Sequence, residues 1–425
     1  MNIKVFKFGG ASVNSARGVR NLASILKKYP GENILVVVSA MGKTTNALEV
    51  LLSHFLCGDS VSMVESFHGI RDFHMDILHS LFRKKDHPVY EEIETLFDQL
   101  RGYLRKGHLN DSEKPGYDFM YDQVVSYGEL ISTAIINHYL NDSGIASTLY
   151  DARKLISTDR MYRDARVDWD KTRQCIAKTL TGQGIAVTQG FIGGDLSGNT
   201  TTLGREGSDY SAAIFAYCLK SKEMTIWKDV PGIMNADPKW LVNVRKLNTL
   251  SYEEAIELAY FGASIIHPKT IKPLENANIT LHVKSFLRPD LPGTTISKLE
   301  EWTISTPIYI RKQNQVLISI SPRDFSFIME ENLGQIFTIL ATHHVKVNVM
   351  QNSAISFSVC VDANTRELKN LISELKRNYR VRYNDHLELY TIRHYNTKAI
   401  NKIAKNRRIL LEQKTRNTLH LVVTE

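Results

Sequence analysis

The first 270 residues repeat one arrangement: a short apolar strand, a turn rich in glycine and hydroxyl residues, and then a helix. Ile3 to Phe8 ends in a Gly-Gly turn. Asn33 to Val38 has the near-continuous apolar sequence of a strand buried on both faces of a parallel sheet. Strands that alternate with helices predict an α/β domain with a mainly parallel central sheet, in which ligands bind at the carboxyl ends of the strands.

The turn within residues 200–214 is the most highly charged of these junctions. Two glycines flank an Arg-Glu pair, and Ser208 and Asp209 then open an apolar run, residues 212–219, that predicts a buried helix. Ser208 is a preferred N-cap residue, and Asp209 in the first turn suits the positive end of the helix dipole. On its own, this stretch fits a capped loop as well as it fits a phosphate site.

Two more turns carry groups that suit anions. Gly9 and Gly10 lack a Cβ atom, which lets backbone N–H groups approach a phosphate, and Lys7 would add a positive charge. Residues 39–46, after the second strand, are rich in hydroxyl groups and suit a carboxylate or a phosphate. Together with residues 200–214, these turns predict a phosphate-handling site.

Residues 60–140 have mostly helical patterns, and two features within them bear on function. Glu129 interrupts a largely apolar helix; such an acid is usually exposed or salt-bridged, but it can also bind a substrate amino group. His68, His74 and His79 are spaced so that three metal ligands would not share one helix face. We expect surface or partly buried histidines here rather than a metal site.

Composition indicates an ordinary globular protein. A chain of 425 residues predicts two or three domains, and 43% of the residues are hydrophobic and 23% charged. The four cysteines are far apart, which fits reduced cytosolic thiols. The start lacks the pattern of a signal peptide, and no apolar run approaches the ~20 residues of a membrane span. We expect a cytoplasmic protein with no membrane partner.

The net charge of +8 is unevenly placed, because residues 366–416 hold 14 Lys and Arg against 5 Asp and Glu. These basic residues are scattered through predicted strands and helices, and they form no recognised nucleic-acid-binding motif. A solvated basic surface is the interpretation that we favour, with no nucleic acid partner.

A run of prolines, Pro289, Pro292 and Pro307, marks a domain boundary, and the pattern changes after it. Strands are predicted at 315–321, 345–349, 355–361 and 387–394, with helices at 334–343 and 366–378. This β-α-β-β-α-β order is ferredoxin-like. A shorter, partial repeat of this pattern follows, with a helix at 397–404 and strands within 409–423. Because no catalytic constellation appears here, we expect a sensor or an oligomerisation platform.

With these turns assembled, the sequence resembles the aspartate kinases of the amino-acid kinase family. Six motifs carry the resemblance over residues 3–285, in family order: Lys7-Phe8-Gly9-Gly10-Ala11-Ser12, Ser39-Ala40 with Thr45-Asn46, Gly128-Glu129, Gly204-Arg205-Glu206-Gly207-Ser208-Asp209, Lys228-Asp229-Val230-Pro231-Gly232, and Phe261-Gly262-Ala263 with His267-Pro268. The resemblance implies a three-layer amino-acid-kinase fold over residues 1–295. It also implies two ferredoxin-like ACT regulatory modules over 307–425, the second of them short.

The activity that this resemblance implies is ATP-dependent phosphorylation of the side-chain carboxylate of L-aspartate to 4-phospho-L-aspartate, the first step of lysine, threonine and methionine biosynthesis. By motif match, Lys7 and Asp209 are the implied catalytic residues. The implied ATP-binding residues are Lys7, Gly9, Gly10, Lys228, Asp229, Met234 and Lys239. The implied aspartate-binding residues are Ser39, Thr45, Glu129, Arg205, Ser208 and Asp209. Mg²⁺ is expected through the phosphates and water, so no protein ligand is predicted for it.

The resemblance further implies a homodimer through the ACT modules and an amino-acid feedback effector; lysine, threonine and no effector all stay open. Lys228 stands where the family commonly has Thr, and Ser264 where it frequently has Lys. Because no GxGxxG motif is present, we expect no fused homoserine dehydrogenase.

Two alternatives to an aspartate kinase remain. Another amino-acid-kinase member, such as a glutamate, acetylglutamate or nucleoside-monophosphate kinase, is less consistent with the segments 205–209 and 228–232. A catalytically silent amino-acid sensor is less consistent with the presence of Lys7, Arg205 and Asp209.

Overall fold

The computed structural model describes residues 3–106, 116–181, 184–263, 266–299, 306–324, 326–363 and 367–424. The chain divides into two compact units. The first comprises residues 1–233, 246–256 and 265–300, and the second comprises 234–245, 257–264 and 301–425. The division at 295–307 stays a prediction; the compact units assign two short segments before that point to the second unit.

The strands and helices before residue 300 follow the predicted alternation. The strands are β1 (Ile3–Phe8), β2 (Asn33–Val38), β3 (Ser147–Tyr150), β4 (Ile185–Gln189), β5 (Ile192–Gly194), β6 (Thr200–Thr202), β7 (Glu223–Lys228), β8 (Thr249–Ser251), β9 (Thr280–Ser285) and β10 (Thr294–Ser297). The helices are α1 (Ala16–Leu26), α2 (Thr44–Leu56), α3 (Ser60–Leu81), α4 (Pro88–Lys106), α5 (Tyr117–Val125), α6 (Tyr127–Asp142), α7 (Trp169–Thr179), α8 (Gly207–Cys218), α9 (Tyr252–Phe261) and α10 (Pro268–Asn276).

In the described part of the chain, the first unit is built on an eight-stranded sheet in the order β3-β4-β2-β1-β7-β9-β10-β8. Every neighbouring pair is parallel except β9 with β10. The predicted mainly parallel sheet is therefore confirmed. Strands β5 and β6 form a separate antiparallel pair.

Helices cover both faces of this sheet. Phe6 and Phe8 on β1 belong to a core shared with α1 to α6. Side chains alternate along a strand, so Lys7 points to the other face. There, α8 contacts β1, β2 and β7. The predicted three-layer arrangement of helices, sheet and helices is confirmed.

Two local predictions are wrong. Helix α8 begins at Gly207, with Glu206 at the N-cap in the left-handed conformation (φ 54°), so Ser208 is inside the helix and not its cap. The sequence does not reveal this because the turn that starts the helix depends on a backbone conformation that Glu rarely adopts. His74 is fully buried on α3, where its Nδ1 lies 2.7 Å from the carbonyl oxygen of Ile70, and it is neither exposed nor half-buried.

The second unit contains the predicted ferredoxin-like order. Its later elements are β11 (Ile308–Pro322), α11 (Glu330–Thr342), β12 (Val347–Ser353), β13 (Ser356–Asp362), α12 (Leu368–Asn378), β14 (Tyr379–Arg393), α13 (Thr397–Ala404), β15 (Ile409–Lys414) and β16 (Thr418–Thr424). They form one antiparallel sheet in the order β12-β13-β11-β14-β16-β15. Strand β14 starts eight residues before the predicted position, because its pairing with β11 continues to Tyr379, which lies opposite Pro322.

Among the described residues, none of the helices combines the length and the apolar character that crossing a membrane requires.

Candidate active site

An ion pair between Lys7 and Asp209 lies near the carboxyl end of β1. Lys7 points away from the core that holds its neighbours in β1 and towards α8. Its Nζ lies 2.7 Å from Oδ1 of Asp209, in the first turn of α8, and the two side chains are only 10% and 5% exposed. Lys228, at the end of the neighbouring strand β7, brings its Nζ to 4.0 Å from Oδ2 of Asp209. One buried carboxylate is thus shared by two cations.

The two lysines decide the protonation state of Asp209. Burial alone raises the pKa of a carboxyl group, but the positive charges of Lys7 and Lys228 outweigh burial and hold the pKa of Asp209 below its usual value. Asp209 is therefore ionised at neutral pH. The three side chains together carry an excess of positive charge, which suits a phosphate.

A cavity of about 590 Å³ opens beside this cluster, and its whole lining belongs to the first unit. It is lined by Lys7, Gly10, Ser39, Ala40, Gly42, Thr45, Asn46, Tyr121, Glu129, Arg163, Phe191, Gly204, Arg205, Glu206, Gly207, Ser208, Asp209 and Lys228. All six residues predicted to bind aspartate are in this lining, as are Lys7, Gly10 and Lys228. The turns after β1, β2 and β6 therefore meet at one place, together with the last residue of β7.

Gly10 lets the first two of these turns approach each other. A Cβ atom at this position would lie 2.5 Å from the carbonyl oxygen of Ala40 and 2.8 Å from that of Gly42. The Gly42 N–H donates to the Gly10 carbonyl at 3.0 Å. Gly9 is outside the cavity lining, although a Cβ there would come within 3.2 Å of Lys7 Nζ. Only glycine at position 10 keeps the hydroxyl-bearing second turn next to Lys7.

Glu129 is a buried acid, and only one of its two carboxyl oxygens accepts a hydrogen bond in the structure as described. It lies in the first turn of α6 and is 2% exposed. Its Oε1 accepts a hydrogen bond from the Ala40 N–H at 3.1 Å, whereas Oε2 has no partner among the residues that the structure describes. Burial raises its pKa to about 8. A buried, unpartnered carboxylate oxygen in a cavity calls for a cation or a donor from a ligand.

The start of α8 offers a second anion site within the same cavity. Gly204 (φ 77°) and Glu206 (φ 54°) turn the chain through left-handed conformations into the helix, with the exposed Arg205 between them. In the structure as described, no side chain caps α8. The positive end of the helix and the Arg205 guanidinium are therefore both available to an anion.

The remaining predicted nucleotide residues are not in the cavity lining. Asp229 is exposed directly after β7. Met234 and Lys239 lie in the segment 234–245, which belongs to the second unit. Their roles stay predictions. Ser264, which replaces a frequent family Lys, lies outside the described residues; Lys269, the nearby lysine in the sequence, pairs with Asp164.

Three cavity residues were not singled out from the sequence: Tyr121, Arg163 and Phe191. Phe191 follows the end of β4, so a turn after a parallel strand signals it in the same way as the others. Arg163 has no such signal, because it follows no strand of the main sheet and no glycine precedes it. Its left-handed conformation (φ 67°) is visible only in the structure.

Known proteins resemble this chain in sequence and in fold. A model of the amino acid kinase family matches residues 2–285. Curated relatives include aspartokinase 2, chloroplastic, of Arabidopsis thaliana, which is 31% identical over 88% of this chain and 70% of the relative. Lysine-sensitive aspartokinase 3 of Escherichia coli K12 is 30% identical over 92% of this chain and 86% of the relative. Solved E. coli aspartokinase III in complex with aspartate and ADP has a TM-score of 0.81 and 28% identity, and covers 100% of this chain and 96% of that chain.

The chain therefore belongs to the amino acid kinase family, whose model spans the three-layer fold and the cavity at the ends of its strands. Within that family, its identity to the curated relatives over most of their length shows it to be one of the aspartokinases. The predicted fold class and the predicted kinase class are thus confirmed.

Proposed function

We propose that this aspartokinase transfers the γ-phosphoryl group of ATP to the side-chain carboxylate of L-aspartate, giving 4-phospho-L-aspartate. One observation carries the proposal: the cluster of Lys7, Asp209 and Lys228 shares a cavity with Glu129 and Arg205. The cluster suits a phosphoryl group. Glu129 suits the ammonium group of an amino acid, and the guanidinium of Arg205 suits a carboxylate group.

The reaction needs no general base, since the aspartate carboxylate is already an anionic nucleophile. Its oxygen forms a bond to the γ-phosphorus while the bond from that phosphorus to the bridging oxygen of ADP breaks. The task of the protein is to position the two substrates and to neutralise charge. Lys7 is placed to donate to the oxygens of the transferring group, and Asp209 holds the Lys7 ammonium in position at 2.7 Å.

In this proposal, the aspartate ammonium binds the unpartnered Oε2 of Glu129. Arg205 binds a carboxylate in the fork geometry that guanidinium favours. The hydroxyl groups of Ser39, Thr45 and Ser208 complete the aspartate site, since all three line the cavity.

For the nucleotide, we propose that Gly9 and Gly10 allow the phosphates to approach the end of β1, with Lys228 beside them. By the family match, we also propose nucleotide-binding roles for Asp229, Met234 and Lys239. Mg²⁺ would enter with the phosphates. Mg²⁺ usually keeps several waters and binds through substrate phosphates, so we propose no protein ligand for it.

The test is an initial-rate assay with ATP, Mg²⁺ and either aspartate or glutamate, combined with trapping of the acyl phosphate by hydroxylamine. The proposal predicts a trappable product with aspartate and at most slow turnover of glutamate. Turnover of glutamate alone would identify a different amino-acid kinase. The absence of any trapped product would favour a silent sensor.

We also propose that the second unit mediates feedback and homodimer formation. E. coli aspartokinase III has been solved in complex with lysine and aspartate, in a structure described as the T-state. This chain matches it with a TM-score of 0.81 over 99% of its length. Lysine is therefore the first effector to test, with threonine as the alternative.

A further inference from the structure

We propose that Arg163 is a further substrate-binding residue, which contacts a carboxylate of the amino acid in the cavity, and that Asp122 is the residue that positions it. This inference rests on the proposed function, because it assigns a binding group to the aspartate end of the same cavity. It adds a second guanidinium to the one at Arg205.

The surroundings of Arg163 place it at the aspartate end. Its guanidinium lies 4.5 Å from the ring centre of Tyr121, which also lines the cavity. It lies 3.7 Å from the carboxylate of Glu49, which follows Thr45 by one turn on the same face of α2. Thr45 is one of the proposed aspartate-binding residues, whereas Lys228 of the phosphate cluster is on a different element, β7.

Arg163 is held in place and still has donors to offer. Its contacts with Glu49 and Asp118, at 3.7 and 3.5 Å, are longer than N–H···O hydrogen bonds. Its side chain is 43% exposed. Stacking on an aromatic ring orients a guanidinium without using its N–H groups. A pair of its N–H donors can therefore bind a carboxylate that enters the cavity.

Backbone strain is concentrated around the cavity. Most of the described non-glycine residues with positive φ are Asn or His, of which Asn in particular tolerates this conformation. The others are Arg163, Phe191, Glu206 and Lys220, and the first three line the cavity. Such strain persists where the surrounding structure imposes it, and it clusters at ligand sites.

Asp122 imposes the conformation of Arg163. Both of its carboxylate oxygens accept the Arg163 N–H at 3.1 Å. The same carboxylate, fully buried on α5, accepts the N–H of Thr202 at 2.8 Å and its hydroxyl at 2.7 Å. Thr202 ends β6, three residues before Arg205. One buried carboxylate thus fixes the two chain segments that carry the two cavity arginines.

The decisive variant is Arg163→Gly, since glycine removes the guanidinium and also accepts the left-handed backbone. We expect the aspartate KM to rise about tenfold, as the loss of a charge-assisted hydrogen bond implies, with the ATP KM within about twofold of wild type. The melting temperature should be unchanged or higher. Arg166→Ala is the matched control: it removes an exposed cation from the same segment that is not part of the cavity lining, and it should leave both KM values unchanged.

Asp122→Asn tests the positioning role, with an expected rise in the aspartate KM and an unchanged ATP KM. A lower melting temperature with an unchanged aspartate KM would make Asp122 merely structural, and if this variant does not fold, Arg163→Gly alone decides. If wild type phosphorylates aspartate and Arg163→Gly keeps the wild-type KM, the inference is wrong and the proposed function stands. If wild type does not phosphorylate aspartate, the proposed function fails. The affinity for aspartate without ATP, measured by calorimetry, then tests Arg163 separately. If Arg163→Gly binds aspartate as tightly as wild type does, the assignment of Arg163 is wrong.

Discussion

Asp209 and Glu129, the two buried acids of the cavity, differ in whether the protein itself provides a cationic partner. Asp209 faces Lys7 and Lys228 and stays ionised. Oε2 of Glu129 has no partner among the described residues, and burial raises the pKa of this side chain to about 8. The Asp209 carboxylate has its counter-charges before any ligand binds, whereas Glu129 gains one only when a substrate brings a cation. This difference gives each acid its own experimental signature.

For the paired acid, replacing Lys7 by Met should lower kcat by about 10²–10³-fold, the usual effect of losing a group that stabilises transition-state charge. It also leaves Asp209 buried beside a single, more distant cation, so the free energy of unfolding should fall by up to about 3–5 kcal/mol. The double variant Lys7→Met with Asp209→Asn should recover stability without recovering turnover. Initial rates and urea unfolding measure the two effects, and normal turnover in the single variant would contradict the role of Lys7.

For Glu129, the prediction concerns how the aspartate KM depends on pH. Below pH 8, Glu129 of the ligand-free enzyme is mainly protonated, so binding of an ammonium group must release a proton. The aspartate KM should fall as pH rises from about 6.5 to 8.5, by up to tenfold per unit below the pKa, and then level off. The raised pKa also means that this side chain stabilises the ligand-free fold at low pH, and that its contribution is lost as pH rises from about 4.5 towards 8.

Glu129→Gln is the control for this profile, because the amide does not titrate. It should abolish the pH dependence of the aspartate KM and leave the KM high throughout. A flat profile in wild type would show that Glu129 does not bind the ammonium group.

At the scale of elements, the sequence predicts the regular parts well and the turns poorly. β1 and β2 have the predicted bounds because an apolar run between turn residues is a local signal. The start of α8 differs because Glu206 adopts a left-handed conformation that its own sequence does not favour. The place of Arg163 in the cavity depends on Asp122, 41 residues away, and no local pattern records such a contact. Long-range contacts therefore limit what the sequence reveals about the site.

The close approach of the turn after β1 to the turn after β2 gives a prediction about Gly10. In Gly10→Ala, the new Cβ would lie 2.5 Å from a backbone oxygen, so the variant should lose about 1–3 kcal/mol of stability together with activity. Gly69→Ala, inside α3 with open space around it, should instead gain up to about 1 kcal/mol. Urea unfolding compares the two directly. Equal stabilities would mean that the turns do not approach each other as closely as described.

At the scale of the whole molecule, the chain joins a catalytic unit to a unit with one continuous antiparallel sheet. The β-α-β-β-α-β order predicted for residues 315–394 is confirmed, and its elements span residues 308–393. The sequence could show this order because each strand and helix has its own periodicity. It could not show that β11 and β14 are 15 residues long each. These two strands pair at the centre of the sheet and join β12 and β13 on one side to β15 and β16 on the other.

Feedback is the prediction at this scale. Lysine should lower the initial rate at subsaturating aspartate, while threonine alone should not, and light scattering should give the mass of two chains. Rates with lysine, threonine and both distinguish the effectors. Inhibition by threonine alone would identify threonine, and not lysine, as the effector. A rate that neither amino acid changes would contradict feedback through the second unit.

The most direct test of the central claim is a crystal structure of the enzyme with aspartate and a non-hydrolysable ATP analogue. The proposed function predicts both ligands in one cavity, with the aspartate ammonium on Glu129 and the terminal phosphate beside Lys7. Aspartate bound away from Glu129, or phosphates bound away from Lys7, would contradict it.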